Sequence, residues 1–203
     1  MADKNKTIIG YGFRIFSGLA VLYPLSMVIA ERKWVFDSTF LPSLFPLFGI
    51  LAFVLLWLHA ISGAFEPWLR KYIDFDQFVQ NTSLVIFVCI ILHPLLLLIP
   101  VSFNSTPIFT YGSLYIWLAI IGWLLLITYD IGKLLKKKYI FFVQNWNNIL
   151  LISNIGFILT FFHSLGVGDD LQSGLLRIIW IFYGVTAILA IIYTYGIRRL
   201  AHR

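Results

Sequence analysis

Residues 82–103, TSLVIFVCIILHPLLLLIPVSF, decide the class of this chain. No Asp, Glu, Lys or Arg interrupts them, and a helix of that length crosses about 30 Å of hydrocarbon at about 1.5 Å per residue. A helix apolar on every side needs apolar surroundings on every side, which a small water-soluble domain does not supply. Five further stretches have the same character: 8–30, 43–69, 114–135, 149–165 and 174–197. The connectors collect the turn formers and charges: ERKWVFDST, RKYIDFDQ, NSTPIFTYGS, KLLKKKYIFFVQNWNN and GVGDDLQSG. None is long enough for a soluble domain, and the eye finds no internal repeat or low-complexity tract. The expected fold is therefore all-α, one six-helix transmembrane bundle covering 1–203.

Composition agrees with this reading. The chain is 60% hydrophobic and 12% charged, against about 25% charged in ordinary soluble domains. An aromatic content of 18% excludes intrinsic disorder, and Cys89, the only cysteine, excludes a disulfide scaffold. Of the 15 basic residues, only Arg32, Lys33 and Arg177 fall on the side of the even-numbered crossings. Lys4, Lys6, Arg14, Arg70, Lys71, Lys133, Lys136, Lys137, Lys138, Arg198, Arg199 and Arg203 fall on the side of the termini. The positive-inside rule then places both termini in the cytoplasm of a plasma or bacterial inner membrane. The net charge of +6 reflects that topology and attraction to anionic lipid, not nucleic-acid binding. Val28-Ile29-Ala30 has the look of a signal cleavage site, but the run from Ile15 is long for a signal core and holds Pro24, so an uncleaved first span is expected.

Ionisable groups inside spans are costly and mark function by default. Of four histidines, His202 sits in the basic tail and is expected to be solvated; His59, His93 and His163 lie inside spans. His93 stands about 18 Å along its helix from Asn81, and His163 just precedes the glycines of GVG, so both belong to the outer half of the bilayer. Two imidazoles at matching depth suit the axial positions of a haem iron. Zinc asks for four ligands, or three and water, and no further ligand is expected at that level. The plain alternative is an interhelical hydrogen bond from each ring. Gly156 and Gly166, on the His163 face, leave room either for a flat macrocycle or for close helix packing.

Three pieces carry a family resemblance: ILHPLLLL in span three, FFHSLGVGDDLQ at the end of span five, and Trp146 at the entry to span five. With these the chain resembles the ferric reductase-like transmembrane domain, a superfamily that includes ferric reductases, NADPH oxidases and the haem membrane subunit of the bacterial methionine sulfoxide reductase system. The resemblance implies b-type haem between spans three and five and electron transfer across the membrane. The family also carries an inner histidine ahead of each of these two; here those positions hold Gln80 and Leu150. One outer haem on His93 and His163 is therefore the carry-over, and His59 is the remaining candidate for a second iron, or a core histidine bonded to a neighbouring helix.

Arg177, opening span six on the outer side, is placed either against a haem propionate or as a snorkelling arginine. Arg14 is expected to snorkel to lipid phosphate, Asp130 and Lys133 to pair along one helix, Asn154 to bond another helix, and Cys89 to act as a small buried hydrophobe. No G-x-G-x-x-G or P-loop occurs, so no flavin or NAD(P) site is expected in this chain. Electrons would come from a separate cytoplasmic flavoprotein or a membrane quinol. The competing expectation is a non-redox polytopic protein, a small transporter or assembly factor, with structural histidines.

Overall fold

A computed structural model describes residues 2–32, 34–38, 40–110 and 112–198, with side chains from residue 6 onward. Lys33, Arg199, His202 and Arg203, and the side chain of Lys4, lie outside the described residues. Those described are all-helical, without a strand, and six helices are long and apolar enough to cross a membrane. They are α1 (Ala2–Glu31), α2 (Phe45–Ala64), α3 (Phe75–Leu98), α4 (Ser113–Leu135), α5 (Trp146–Val167) and α6 (Gly174–Ile192). A π-helical stretch, Tyr193–Arg198, prolongs α6. The chain is a multi-pass membrane protein whose apolar outer faces meet lipid.

Helix ends follow local chemistry. The Asp74 side chain accepts from the Gln77 N–H at 3.0 Å and starts α3. This is well before the expected entry at residue 82, because the first turns of α3, FDQFVQN, are helical yet too polar to register as span. Span two correspondingly ends at Ala64, where Glu66–Leu69 turns away with Pro67 at its start. Gly112 at φ +133° and Gly174 at φ +79° occupy backbone conformations open to glycine just before α4 and at the start of α6.

Two prolines lie inside helices, Pro24 in α1 and Pro94 in α3. Each lacks the N–H that would bond the carbonyl four residues back. In both cases a side chain of another helix takes that carbonyl. Tyr183 of α6 donates its hydroxyl to Ala20 O at 3.1 Å, and Trp123 of α4 donates Nε1–H to Ile90 O at 2.8 Å. In hydrocarbon a freed carbonyl has no water to turn to, so neighbouring helices must satisfy it. The prolines thus become interhelical ties, α1 to α6 and α3 to α4.

The centre is aromatic. Phe53 of α2 stacks on Trp180 of α6 at 4.0 Å and meets Phe157 and Phe161 of α5. Trp57 stacks on Tyr183 at 4.1 Å and donates to Thr186 at 2.9 Å. α4 and α5 are the most closely packed pair and α2 and α3 the next, whereas α3 and α5 barely touch. The bundle is therefore two tight hairpins bridged by α6, with α1 packed on α2.

Candidate functional site

The two span histidines of the outer-haem expectation sit at one end of the bundle, the end away from the termini. His93 is near the last turn of α3, and its Nδ1 lies 2.7 Å from the backbone oxygen of Phe45, the first residue of α2. His163 is near the last turn of α5, and its Nδ1 lies 3.0 Å from the backbone oxygen of Tyr115, in the first turn of α4. Each ring reaches back by the same 48-residue spacing. The step from Phe45 to Tyr115 also equals that from His93 to His163. The two hairpins thus repeat one device, a relation of geometry that residue identity does not announce.

A carbonyl can only accept, so each Nδ1 carries the proton and each Nε2 is left with its lone pair. Neither Nε2 has a hydrogen-bond partner among the described residues, and neither is sealed off, since both residues keep some accessible surface. Metal-bound histidines are held in this way, one nitrogen fixed by a backbone carbonyl and the other presented. No group of three or more His, Cys, Asp or Glu gathers among the described residues.

Gly49 of α2 makes the His93 position possible. A methyl group at Gly49 would stand 2.8 Å from His93 Cε1 and Nδ1, inside van der Waals contact, so the imidazole lies flat against the α2 backbone. Phe45 also approaches the ring, 5.5 Å between centroids. Sequence reasoning singles out neither Gly49 nor the two carbonyls. A lone glycine in an apolar span is the only signal for the first, and backbone acceptors leave none.

Other expected residues fall elsewhere. Gly156 faces α4, where a Cβ would lie 2.7 Å from Gly122 O and 2.8 Å from Leu126 N; the room it makes is filled by helix packing and holds no flat ligand. Gly166 likewise admits the Tyr115 ring. Arg177 Nη1 donates to Leu171 O at 2.7 Å, tying the α5–α6 connector near the His163 end of α5. At the opposite end of the bundle, His59 Nε2 meets Thr82 Oγ1 of α3 at 2.5 Å. The single Thr82 proton goes to Phe78 O at 2.7 Å, which makes Nε2 the donor and His59 a core histidine bonded to a neighbouring helix. Lys133 makes no ion pair with Asp130; it reaches across to Ser83 Oγ of α3 at 3.0 Å. Asn154 bonds Tyr195 OH at 3.3 Å, and Cys89 is buried at 2% exposure.

The end that carries the histidine pair is closed over by an ion pair, Arg32 Nη2 to Asp170 Oδ2 at 2.6 Å, which fastens the end of α1 to the α5–α6 connector. The end that carries the termini holds Arg70 between Glu66 and Asp76 at 2.9 and 2.7 Å; these carboxylates hold the Arg70 guanidinium well above its ordinary range, so it stays charged. No family model, curated protein or solved structure matches the chain.

Proposed function

We propose that this chain is a membrane b-type haem protein holding one haem between His93 and His163. It would be oriented with both termini in the cytoplasm of a plasma or bacterial inner membrane and would pass electrons to an acceptor on the outer side. The observation that carries the reading is the pair of Nδ1–carbonyl bonds that leave both Nε2 atoms without a partner. Bound there, haem would supply a one-electron ferric–ferrous couple.

The chain's own residues do the rest. The Phe45 and Tyr115 carbonyls hold each ring in one tautomer and orientation, which raises the basicity of the presented nitrogen. Gly49 sets the His93 ring against α2. Arg177 stands at the same end as the cation for a ligand carboxylate. Electrons would be supplied by a separate cytoplasmic flavoprotein or a membrane quinol, with the basic connector Lys136–Lys138 on the donor side.

The competing reading, a non-redox bundle with structural histidines, draws on the same two bonds, since each joins two helices. It leaves both free Nε2 atoms without a purpose. Quantifying pyridine haemochrome in the purified protein separates the two. About one haem b per chain supports the electron-transfer reading, and no Soret band after expression with ample haem overturns it.

A further inference from the structure

Lys6, Gly10 and Arg14 are spaced by four along α1 and so share one face of the helix. Gly10 is where the α2–α3 connector comes in: a Cβ there would lie 3.1 Å from Tyr72 O. One turn below stands a lysine and one turn above an arginine, both long enough to bend back to the Gly10 level. Between α1 and the connector lies a polar cavity of about 290 Å³ lined by Lys6, Thr7, Gly10, Tyr11, Arg14 and Tyr72.

Among the described residues this lining is cationic. It contains two cations, two phenols and a threonine, and no carboxylate. Neither Lys6 nor Arg14 has an ion-pair partner among the described residues. Of the connector acids, Glu66 and Asp76 bind Arg70, Glu66 also faces Arg198 at 3.9 Å, and Asp74 caps α3 through the Gln77 N–H. Arg14 instead lies over the ring of Tyr11, another lining residue, at 5.8 Å.

The level matters as much as the charge. The connector residues beside the cavity include Trp68 and Tyr72, with ring centroids 4.9 Å apart, the aromatic signature of a membrane–water boundary. Beyond the cavity α1 turns apolar and exposed, with Ile15 at 62% and Leu19 at 63%. A ligand here has anionic oxygens at the Gly10 level and hydrocarbon on the Ile15 side. Arg and Lys on tetrahedral oxyanions, with hydroxyl donors completing the shell, is the chemistry of phosphate recognition.

We propose that this cavity binds a phosphate group between Lys6 and Arg14, supplied by the headgroup of an anionic phospholipid in the leaflet at the termini. The site is independent of the histidine pair and of haem.

The test uses the full chain in a neutral detergent. Thermal unfolding is followed during titration with phosphatidylglycerol, phosphatidylcholine or inorganic phosphate, and bound lipid is counted by native mass spectrometry. Phosphatidylglycerol should raise the midpoint saturably, with one tightly held lipid per chain. The Lys6→Gln/Arg14→Gln double variant should weaken that response at least tenfold. Lys71→Gln, an exposed connector lysine outside the lining, should leave it unchanged. If millimolar inorganic phosphate gives the same saturable, Arg14-dependent shift, the phosphate site is upheld and its ligand assigned to soluble phosphate. Equal responses of wild type and double variant, or equal responses to phosphatidylglycerol and phosphatidylcholine, would overturn the proposal. Arg14→Lys guards against misfolding: it keeps the charge and should retain most of the lipid response, and complete loss there with a normal midpoint in detergent alone would also count against it.

Discussion

Replacing Tyr183 by Phe deletes one hydroxyl and keeps the stack on Trp57. That hydroxyl donates to Ala20 O at 3.1 Å, the carbonyl that Pro24 cannot serve. An intramolecular hydrogen bond nets about 0.5–1.5 kcal/mol in proteins generally. Between membrane helices measured couplings average about 0.6 and reach about 1.7 kcal/mol. Both ends here are buried, Tyr183 at 7% and Ala20 at 8% exposure, and the acceptor has no helical N–H to fall back on. The cost of Tyr183→Phe should therefore lie high in that range, about 1–1.5 kcal/mol, or roughly a five- to twelvefold shift in the folded ratio. The assay is reversible unfolding in mixed micelles. The decisive arm is the same substitution in a Pro24→Ala background, where a new backbone N–H at position 24 can reach Ala20 O. There the cost of Tyr183→Phe should fall below about 0.5 kcal/mol, a coupling that a double-mutant cycle reads free of the cavity left by the proline ring. Equal costs in both backgrounds would refute the idea that the phenol stands in for the missing amide.

Three further outcomes follow from the packing. Gly156→Ala should destabilise the apoprotein by about 1–3 kcal/mol, because backbone atoms of α4 cannot yield as a flexible side chain would, whereas Gly12→Ala, with nothing within 4 Å, should be near neutral; thermal midpoints compare the two. Gly49→Ala should displace the His93 ring from Phe45 O and lower haem content per folded chain several-fold, read by haemochrome against protein absorbance. Asp170→Asn should cost about 1 kcal/mol, since the Arg32 pair is shielded at 26% and 18% side-chain exposure, and the loss should vanish in an Arg32→Gln background.

Hydropathy makes the six crossings legible, because about 20 apolar residues in a row are stable as a helix only where hydrocarbon surrounds them. It places the start of α3 late, since helix and hydrocarbon are different limits and FDQFVQN is helical outside the apolar layer. Rotational facing is much less legible. Lipid is as apolar as the bundle interior, so a spanning helix carries little asymmetry to say which side looks inward. Gly156 does share the His163 face, as the spacing says; what spacing does not say is that this face meets α4, where Gly156 lies against Gly122 and His163 bonds Tyr115 O. That His93 and His163 both fall near the far ends of their helices is legible from distance along each helix. The carbonyls that fix them are not, because a backbone acceptor has no side chain to betray it. Lys133 illustrates the same limit: sequence offers Asp130 three residues away, and only the packed bundle offers Ser83.

The most direct test of the histidine pair is low-temperature electron paramagnetic resonance of the oxidised protein beside its alanine variants. Wild type should give the low-spin ferric spectrum of two axial imidazoles, His93→Ala and His163→Ala should each lose it, and His59→Ala should keep it. A full low-spin signal in the His163→Ala protein, or no ferric haem signal in haem-replete wild type, would contradict the assignment.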